Sequence, residues 1–145
     1  MSENNSFEEF KKKAVEENEK NFGAEIREKY GEEAAETSTN IIMGLTEEKW
    51  NRSEQLRKQY ENLLLDAVTR HLDYHDPKVT EMCRIHGQWV SMFWEEGAYS
   101  FEAHKTLAQI YTTDERFISY YENIAKGACQ YLSEAIIHYC NSSKE

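Results

Sequence analysis

The chain reads as all α-helix, on three observations. A single proline, Pro77, interrupts 145 residues. No alternating apolar run of strand length occurs, and apolar residues instead recur at helical spacing. The clearest stripe runs Val79, Met82, Cys83, Trp89, Val90, Phe93 and Trp94, with His86 on the same line. A chain of this length forms one domain and buries a substantial core.

Ser6 with Glu9 makes a capping box that opens a first helix, which carries the basic patch Lys11–Lys13 and then several glutamates. Gly23 and Gly31 punctuate the segment beyond that helix. Thr46, with Glu47 and Glu48 in the first turn, caps a long helix running to about Leu72. Its inner face is Trp50, Leu56, Tyr60, Leu63, Leu64, Ala67 and His71. Asp76-Pro77 starts the next helix, since Asp caps and a proline at the first position forfeits no needed hydrogen bond. That helix carries the stripe above and ends around Glu95–Gly97.

Ser100 then caps a shorter helix whose buried edge is Ala103, Leu107, Ile110 and Tyr111. Thr112 and Glu115 form a second capping box, leading into Phe117, Tyr120, Tyr121 and Ile124. Gly127 marks a break or a close helix crossing, and a last helix buries Ala128, Tyr131, Leu132, Ala135, Ile136 and Tyr139. Residues 1–45 hold few large apolar side chains, chiefly Phe7, Phe10, Phe22, Ile26, Tyr30, Ile41, Ile42, Met43 and Leu45. Such a segment offsets its ordering entropy only by docking on something. The expectation is therefore a mobile helical lid over 1–45 and a ligand-binding helical core over 46–145.

Net charge of −10 argues against nucleic acid or an anionic membrane as a direct partner. No window approaches the roughly 18 apolar residues of a spanning helix, and MSENNSFEEF lacks the pattern of a secretion signal. Cys83, Cys129 and Cys140 are an odd number without close pairing, which disfavours a disulfide frame or zinc site and points to a reducing cytoplasm.

Catalytic and metal constellations fare poorly. His71 and His75 stand four apart near Asp73 and Asp76, but Asp76-Pro77 ends the helix near His75, and Leu72 stands where a zinc helix places glutamate. A lone helical histidine, His86 or His104, is weak ground for haem ligation. The cysteines read as small apolar fillers, and there is no nucleophile elbow, phosphate loop or paired acid and base. No cofactor, metal or catalytic residue is expected. What remains is the aromatic content. A ring-lined stripe with one polar handle suits a pocket for a bulky organic ligand; the competing reading is a packed core with a satisfied histidine.

The run His86-Gly-Gln-Trp89, Phe93-Trp94, then His104-Lys-Thr-Leu107-Ala-Gln-Ile-Tyr111-Thr-Thr-Asp114-Glu-Arg116-Phe117, Tyr120-Tyr121 and Gly127 resembles the TipAS-type antibiotic-recognition domain, the ligand-binding half of thiostrepton-induced regulators of the MerR class. Phe22-Gly23, Glu28-Lys-Tyr30-Gly31 and Leu45-Thr46-Glu-Glu-Lys-Trp50 resemble that family's opening stretch. The similarity covers roughly residues 22–140. It implies a globin-like fold without haem, which binds bulky, largely apolar antibiotics, thiopeptides especially, in a cleft between helices. Some members stand behind a DNA-binding domain as multidrug sensors; others stand alone and sequester the drug. Nothing before residue 6 suggests a preceding domain, which favours the free-standing form, while fusion to a MerR-type DNA-binding domain in a longer form, or a homodimer, stays open.

One departure bears on mechanism. The family's best-known pattern has a cysteine just before the turn preceding the helix of His104, able to bond covalently to dehydroamino acids of thiopeptides. Here the segment reads Glu95-Glu96-Gly97-Ala98-Tyr99-Ser100, with Tyr99 near the cysteine's place, so reversible binding is expected. The expected ligand-binding residues are Trp50, His86, Trp89, Phe93, Tyr99, Tyr111 and Tyr120. The alternative function, from a different class, is an interaction module that accepts a basic amphipathic partner helix in the same groove.

Overall fold

The computed structural model describes residues 2–18, 20, 28, 36, 40–41 and 43–143. The expectations on Phe22, Gly23, Ile26, Tyr30, Gly31 and Ile42 lie outside the described residues. Among those described there are six helices and no strand: α1 (Ser2–Asn18), α2 (Glu47–Thr69), α3 (Pro77–Ser91), α4 (Phe101–Tyr111), α5 (Glu115–Glu122) and α6 (Ala128–Ser143). This all-helical architecture is consistent with the globin-like class. The chain divides into two compact units, one of residues 1–52 with 93–95 and the other of residues 53–92 with 96–145.

In the first unit α1 is already helical at Ser2, so Ser6 lies inside the helix rather than at its start. Lys11, expected in an exposed basic patch, is buried instead. Its ammonium donates to the carbonyl oxygens of Met43 (2.9 Å) and Leu45 (3.0 Å) and sits 5.2 Å from the Phe7 ring centroid. Carbonyls in the turn leading into α2 have no helical partner there, and a buried cation is tolerated because it satisfies them. The ring of Phe10 packs against Trp50 at 4.8 Å between centroids.

The helix ends follow local chemistry. Thr46 Oγ1 accepts from the amide of Lys49 at the start of α2. α2 stops at Thr69, earlier than the expected Leu72, because the chain turns left-handed at His71 (φ 53°). The amides of His71 and Leu72 then donate back to the carbonyls of Val68 and Ala67. This paired closure normally places glycine at the left-handed position. His71 is consequently exposed, not on the inner face. Asp76 caps α3 through the amide of Lys78, with Pro77 in the first position, as expected. Ser100 caps α4 by accepting from Ala103. Asp114 caps α5, not Thr112; Asp114 reaches the amide of Arg116, and Thr112 closes α4. Ahead of α6 the Glu122 carboxylate accepts from the amides of Gly127 and Cys129 at 2.9 and 3.1 Å. Those hydrogen bonds hold its pKa below the usual carboxylate range. Gly127 (φ 87°) provides the break between α5 and α6.

The core of the second unit is built on α6, against which α3, α4 and α5 pack. Leu132, Ala135, Ile136 and Cys140 face inward. Small residues let α4 and α6 approach closely: Ser133 Oγ donates to the carbonyl of Ala108 at 2.7 Å, and Cys129 Sγ to that of Tyr111 at 3.2 Å. Two helix faces differ from expectation. On α4 the buried set is His104, Ala108 and Tyr111, while Ile110 is exposed, so its inner stripe is shifted in phase. On α6 Tyr131 and Tyr139 are half-buried against the core, while Cys129, Ser133 and Cys140 are buried.

A left-handed histidine costs roughly 1 kcal/mol relative to glycine. His71→Gly is expected to stabilise the protein by about that amount, read as a raised urea midpoint at unchanged slope; an equal or lower midpoint would show that the histidine makes a compensating contact.

Candidate functional site

His86 comes from the middle of α3 and is completely buried, as is His104 from the first turn of α4. Their rings lie parallel with centroids 5.1 Å apart, and His86 Nδ1 meets His104 Nε2 at 2.9 Å. Each remaining ring nitrogen has a tyrosine. His104 Nδ1 lies 2.8 Å from the Tyr99 hydroxyl, and His86 Nε2 lies 3.0 Å from the Tyr111 hydroxyl. The Tyr111 ring packs on that of Tyr121, with centroids 5.1 Å apart. Tyr121 in turn lies 2.9 Å from the Tyr60 hydroxyl. The result is a relay of six residues: hydrogen bonds run from Tyr111 through His86 and His104 to Tyr99, a half-buried residue, and the hydroxyl-bonded pair Tyr121–Tyr60 packs against Tyr111 through the Tyr121 ring.

The environment keeps every member neutral. Burial pushes the His86 pKa far down, and the adjacent His104 adds to that by disfavouring a second charge. Burial lowers His104 to about 4. It also raises Tyr60, Tyr111, Tyr121 and Tyr99 well above the ordinary phenol. A fully paired polar chain of this kind rigidifies its surroundings, whereas a broken one strands a buried polar group. No buried polar side-chain atom among the described residues lacks a partner.

Gly87 makes the arrangement possible. A Cβ there would stand 2.9 Å from the Tyr99 hydroxyl and 3.2 Å from His104 Cε1. The helix gives up the better propensity of alanine so that Tyr99 and His104 can lie over it.

Of the residues expected to bind ligand, His86 and Tyr111 are interior members of the relay and Tyr99 is its outer end. Trp89 is half-buried, its ring 5.3 Å from Tyr60 and 5.7 Å from His86. Tyr120 is exposed, its hydroxyl donating to Glu61 at 2.5 Å and accepting from Arg57 at 3.3 Å. Trp50 and Phe93 belong to the first unit and are half-buried. His104 and Gly87 were not among the expected site residues, nor were Tyr60 and Tyr121. His104, Ala108 and Tyr111 recur at helical spacing, and that phase of α4 was the available signal. A separate cavity of about 400 Å³ is lined by Leu72, Tyr74, Lys126 and Tyr131 among others, and by none of the expected ligand residues.

All six relay residues and Gly87 fall within residues 22–139, the span matched by the profile of the TipAS antibiotic-recognition domain. The chain belongs to the TipAS family. The TipAS domain of this chain is thus a ligand-recognition domain of a kind found in transcriptional regulators. It is similar to the HTH-type transcriptional regulator SkgA of Caulobacter vibrioides in each of two strains, at 30% identity over 112 residues. That alignment covers 75% of this chain but only 44% of the regulator, so the chain spans less than half the length of these relatives. No solved structure matches it. No helix among the described residues is long and apolar enough to cross a membrane.

The relay makes two effects measurable. Gly87→Ala is expected to destabilise the fold by about 1–2 kcal/mol despite the roughly 1 kcal/mol gained in helix propensity; denaturation showing net stabilisation would contradict the packing. The unfolded chain takes up a proton at His104 near the ordinary 6.5, whereas the folded protein does so only near 4. This contribution is therefore complete above pH 6.5 and is lost as pH falls toward 4. With about 1.4 kcal/mol per pKa unit, the loss is on the order of 3 kcal/mol. Urea denaturation between pH 7.5 and 4 measures it, and His104→Gln should flatten the slope.

Proposed function

We propose that this TipAS domain is a non-catalytic, cytoplasmic receptor that binds bulky, largely apolar antibiotics reversibly, thiopeptides among them, for sensing or for protection by sequestration. Family membership across residues 22–139 carries the reading. The half-buried or exposed rings of Trp89, Tyr99 and Tyr120 on the second unit are its ligand contacts. His86 and Tyr111 act behind them, by fixing Tyr99. Affinity comes from apolar burial at about 25 cal/mol per Å², less the cost of ordering whatever the ligand immobilises. An acidic chain of net charge −10 is a poor DNA ligand. In a regulator, DNA contact therefore falls to another segment or polypeptide, as the name of the SkgA relatives suggests for those proteins.

Reversibility rests on the thiols. Cys83, Cys129 and Cys140 are buried, and burial raises the pKa of each, that of Cys140 to about 11. Little thiolate is then present to attack a dehydroamino acid.

Titration with thiostrepton should produce a saturable change in intrinsic tryptophan fluorescence, and intact-mass spectrometry of the mixture should show the unmodified protein mass. Absence of response to thiostrepton and to a broad panel of other antibiotics would overturn the receptor reading. A stable adduct on any cysteine would overturn reversibility alone.

A further inference from the structure

The turn that ends α2 places backbone strain on a histidine. His71 holds φ 53°, a conformation that glycine adopts without steric cost. Its exposed imidazole has no hydrogen-bond, ion-pair or ring partner among the described residues. The exposed ammonium of Lys126 is similarly unoccupied among those residues. Its charged neighbour Glu122 already accepts the amides of Gly127 and Cys129. Both His71 and Lys126 line the cavity of about 400 Å³, as does the Asp73 carboxylate. That volume lies within the range of small-molecule pockets, roughly 300–1,000 Å³.

The apolar wall of the cavity is built before any ligand arrives. Leu72, Tyr74 and Tyr131 all line it. The Tyr131 hydroxyl donates to the Leu72 carbonyl at 2.7 Å, and the Tyr74 ring packs edge-on to Tyr131 with centroids 5.2 Å apart. The Tyr74 hydroxyl is held in turn by Glu134 at 2.7 Å. Asp73 Oδ1 accepts the amide of His75 at 2.8 Å, which fixes the carboxylate while leaving it further lone pairs.

We propose that this cavity is a second ligand site, separate from the antibiotic contacts, and that it takes a small zwitterion with an apolar side chain, such as a free aromatic amino acid. The ligand carboxylate pairs with Lys126 and with an N–H of His71, its ammonium pairs with Asp73, and its side chain lies against Leu72, Tyr74 and Tyr131. An apolar acid without the amine meets the like charge of Asp73, and an apolar amine without the acid meets that of Lys126. Only a ligand carrying both charges pairs with both. An imidazole at the mouth is what glycine, the easier residue for this turn, could not supply; backbone strain concentrates at such sites. The charges are exposed, so each pair adds selectivity more than affinity, and salt weakens it. The proposal does not rest on the receptor reading, since no residue expected to contact the antibiotic lines this cavity.

The test is a ¹H–¹⁵N titration of the full chain at pH 7.5 and low salt with three probes that share one ring: L-phenylalanine, 3-phenylpropionate and phenethylamine. L-Phenylalanine should shift the amides of Leu72, Asp73 and Gly127 saturably, with Kd of about a millimolar. Each singly charged probe should bind roughly fivefold more weakly. Lys126→Met should remove the disadvantage of phenethylamine, and Asp73→Asn, which keeps an oxygen for the His75 amide, that of 3-phenylpropionate. His71→Gly should weaken L-phenylalanine several-fold even though it relieves the turn. A merely structural role for these residues moves all three probes together and cannot produce the crossed preferences. Absence of saturable shifts at these amides overturns the site, and equal binding of the three probes by the wild type overturns the zwitterion assignment whatever the variants do. Thiostrepton should bind Lys126→Met as it binds the wild type; loss of both ligands in that variant would overturn the separateness of the two sites. Failure of thiostrepton alone to bind the wild type would count against the receptor reading and leave this site standing on its own titration.

Discussion

Two uncharged imidazoles held edge to edge in the interior constrain most of the second unit. A histidine that leaves water has only two ring nitrogens to satisfy, and each must find a partner of opposite role. His86 and His104 solve half of that problem for one another at 2.9 Å, which requires α3 and α4 to bring their rings parallel. The other half recruits Tyr99 and Tyr111, and the Tyr111 ring packs on Tyr121, whose hydroxyl is bonded to that of Tyr60. Residues from α3, α4 and the segment before α4 are thereby tied to one polar chain, and Tyr60 of α2 and Tyr121 of α5 are bonded to each other beside it. An apolar core of equal volume would hold these helices without specifying which side chain faces which; the relay sets their register.

The same requirement explains features that look unrelated. Gly87 sits inside a helix, where glycine weakens the backbone, because the phenol of Tyr99 needs the space above it. Ser100, which caps α4, lies between Tyr99 and the turn that delivers His104, so the start of the helix and the position of the relay's outer end are set together. On the far side Ser133 and Cys129 direct their side chains at carbonyls of α4 and let α6 approach closely enough to hold His104 and Tyr111 inward. Trp89 then rests against both Tyr60 and His86, so an indole near the surface is mechanically joined to the buried chain.

Much of the fold was legible in the residues because its determinants are local. Asp76-Pro77, Ser100 and Thr46 cap where their side-chain chemistry says they should, and the stripe from Val79 to Val90 faces inward at helical spacing. Legibility failed where two local signals competed. Thr112 and Glu115 fit a capping box, but Asp114 is nearer to the free amides and a stronger acceptor. The α4 face was misphased because histidine scores as polar, so Leu107 and Ile110 drew the stripe toward themselves. The buried lysine of the first unit failed for the same reason: hydropathy cannot register that a charge has two carbonyls waiting for it. His86 and Tyr99 were legible individually, yet nothing local shows that they communicate, since the histidine between them arrives from another helix.

That gap between individual residues and their connection bears on how such a domain recognises ligands. A pocket of rings alone discriminates by shape, and apolar contacts separate similar guests only weakly. Hydrogen-bond polarity discriminates more sharply, but only where the protein's own group cannot rotate to suit whichever guest arrives. An isolated surface tyrosine is free to act as donor or acceptor at little cost. Tyr99 differs because its hydroxyl is bonded to His104 Nδ1, and the His104 ring is bonded in turn to the buried His86. In this way a buried hydrogen-bond chain holds the Tyr99 hydroxyl in one place, although none of the buried members needs to touch the ligand.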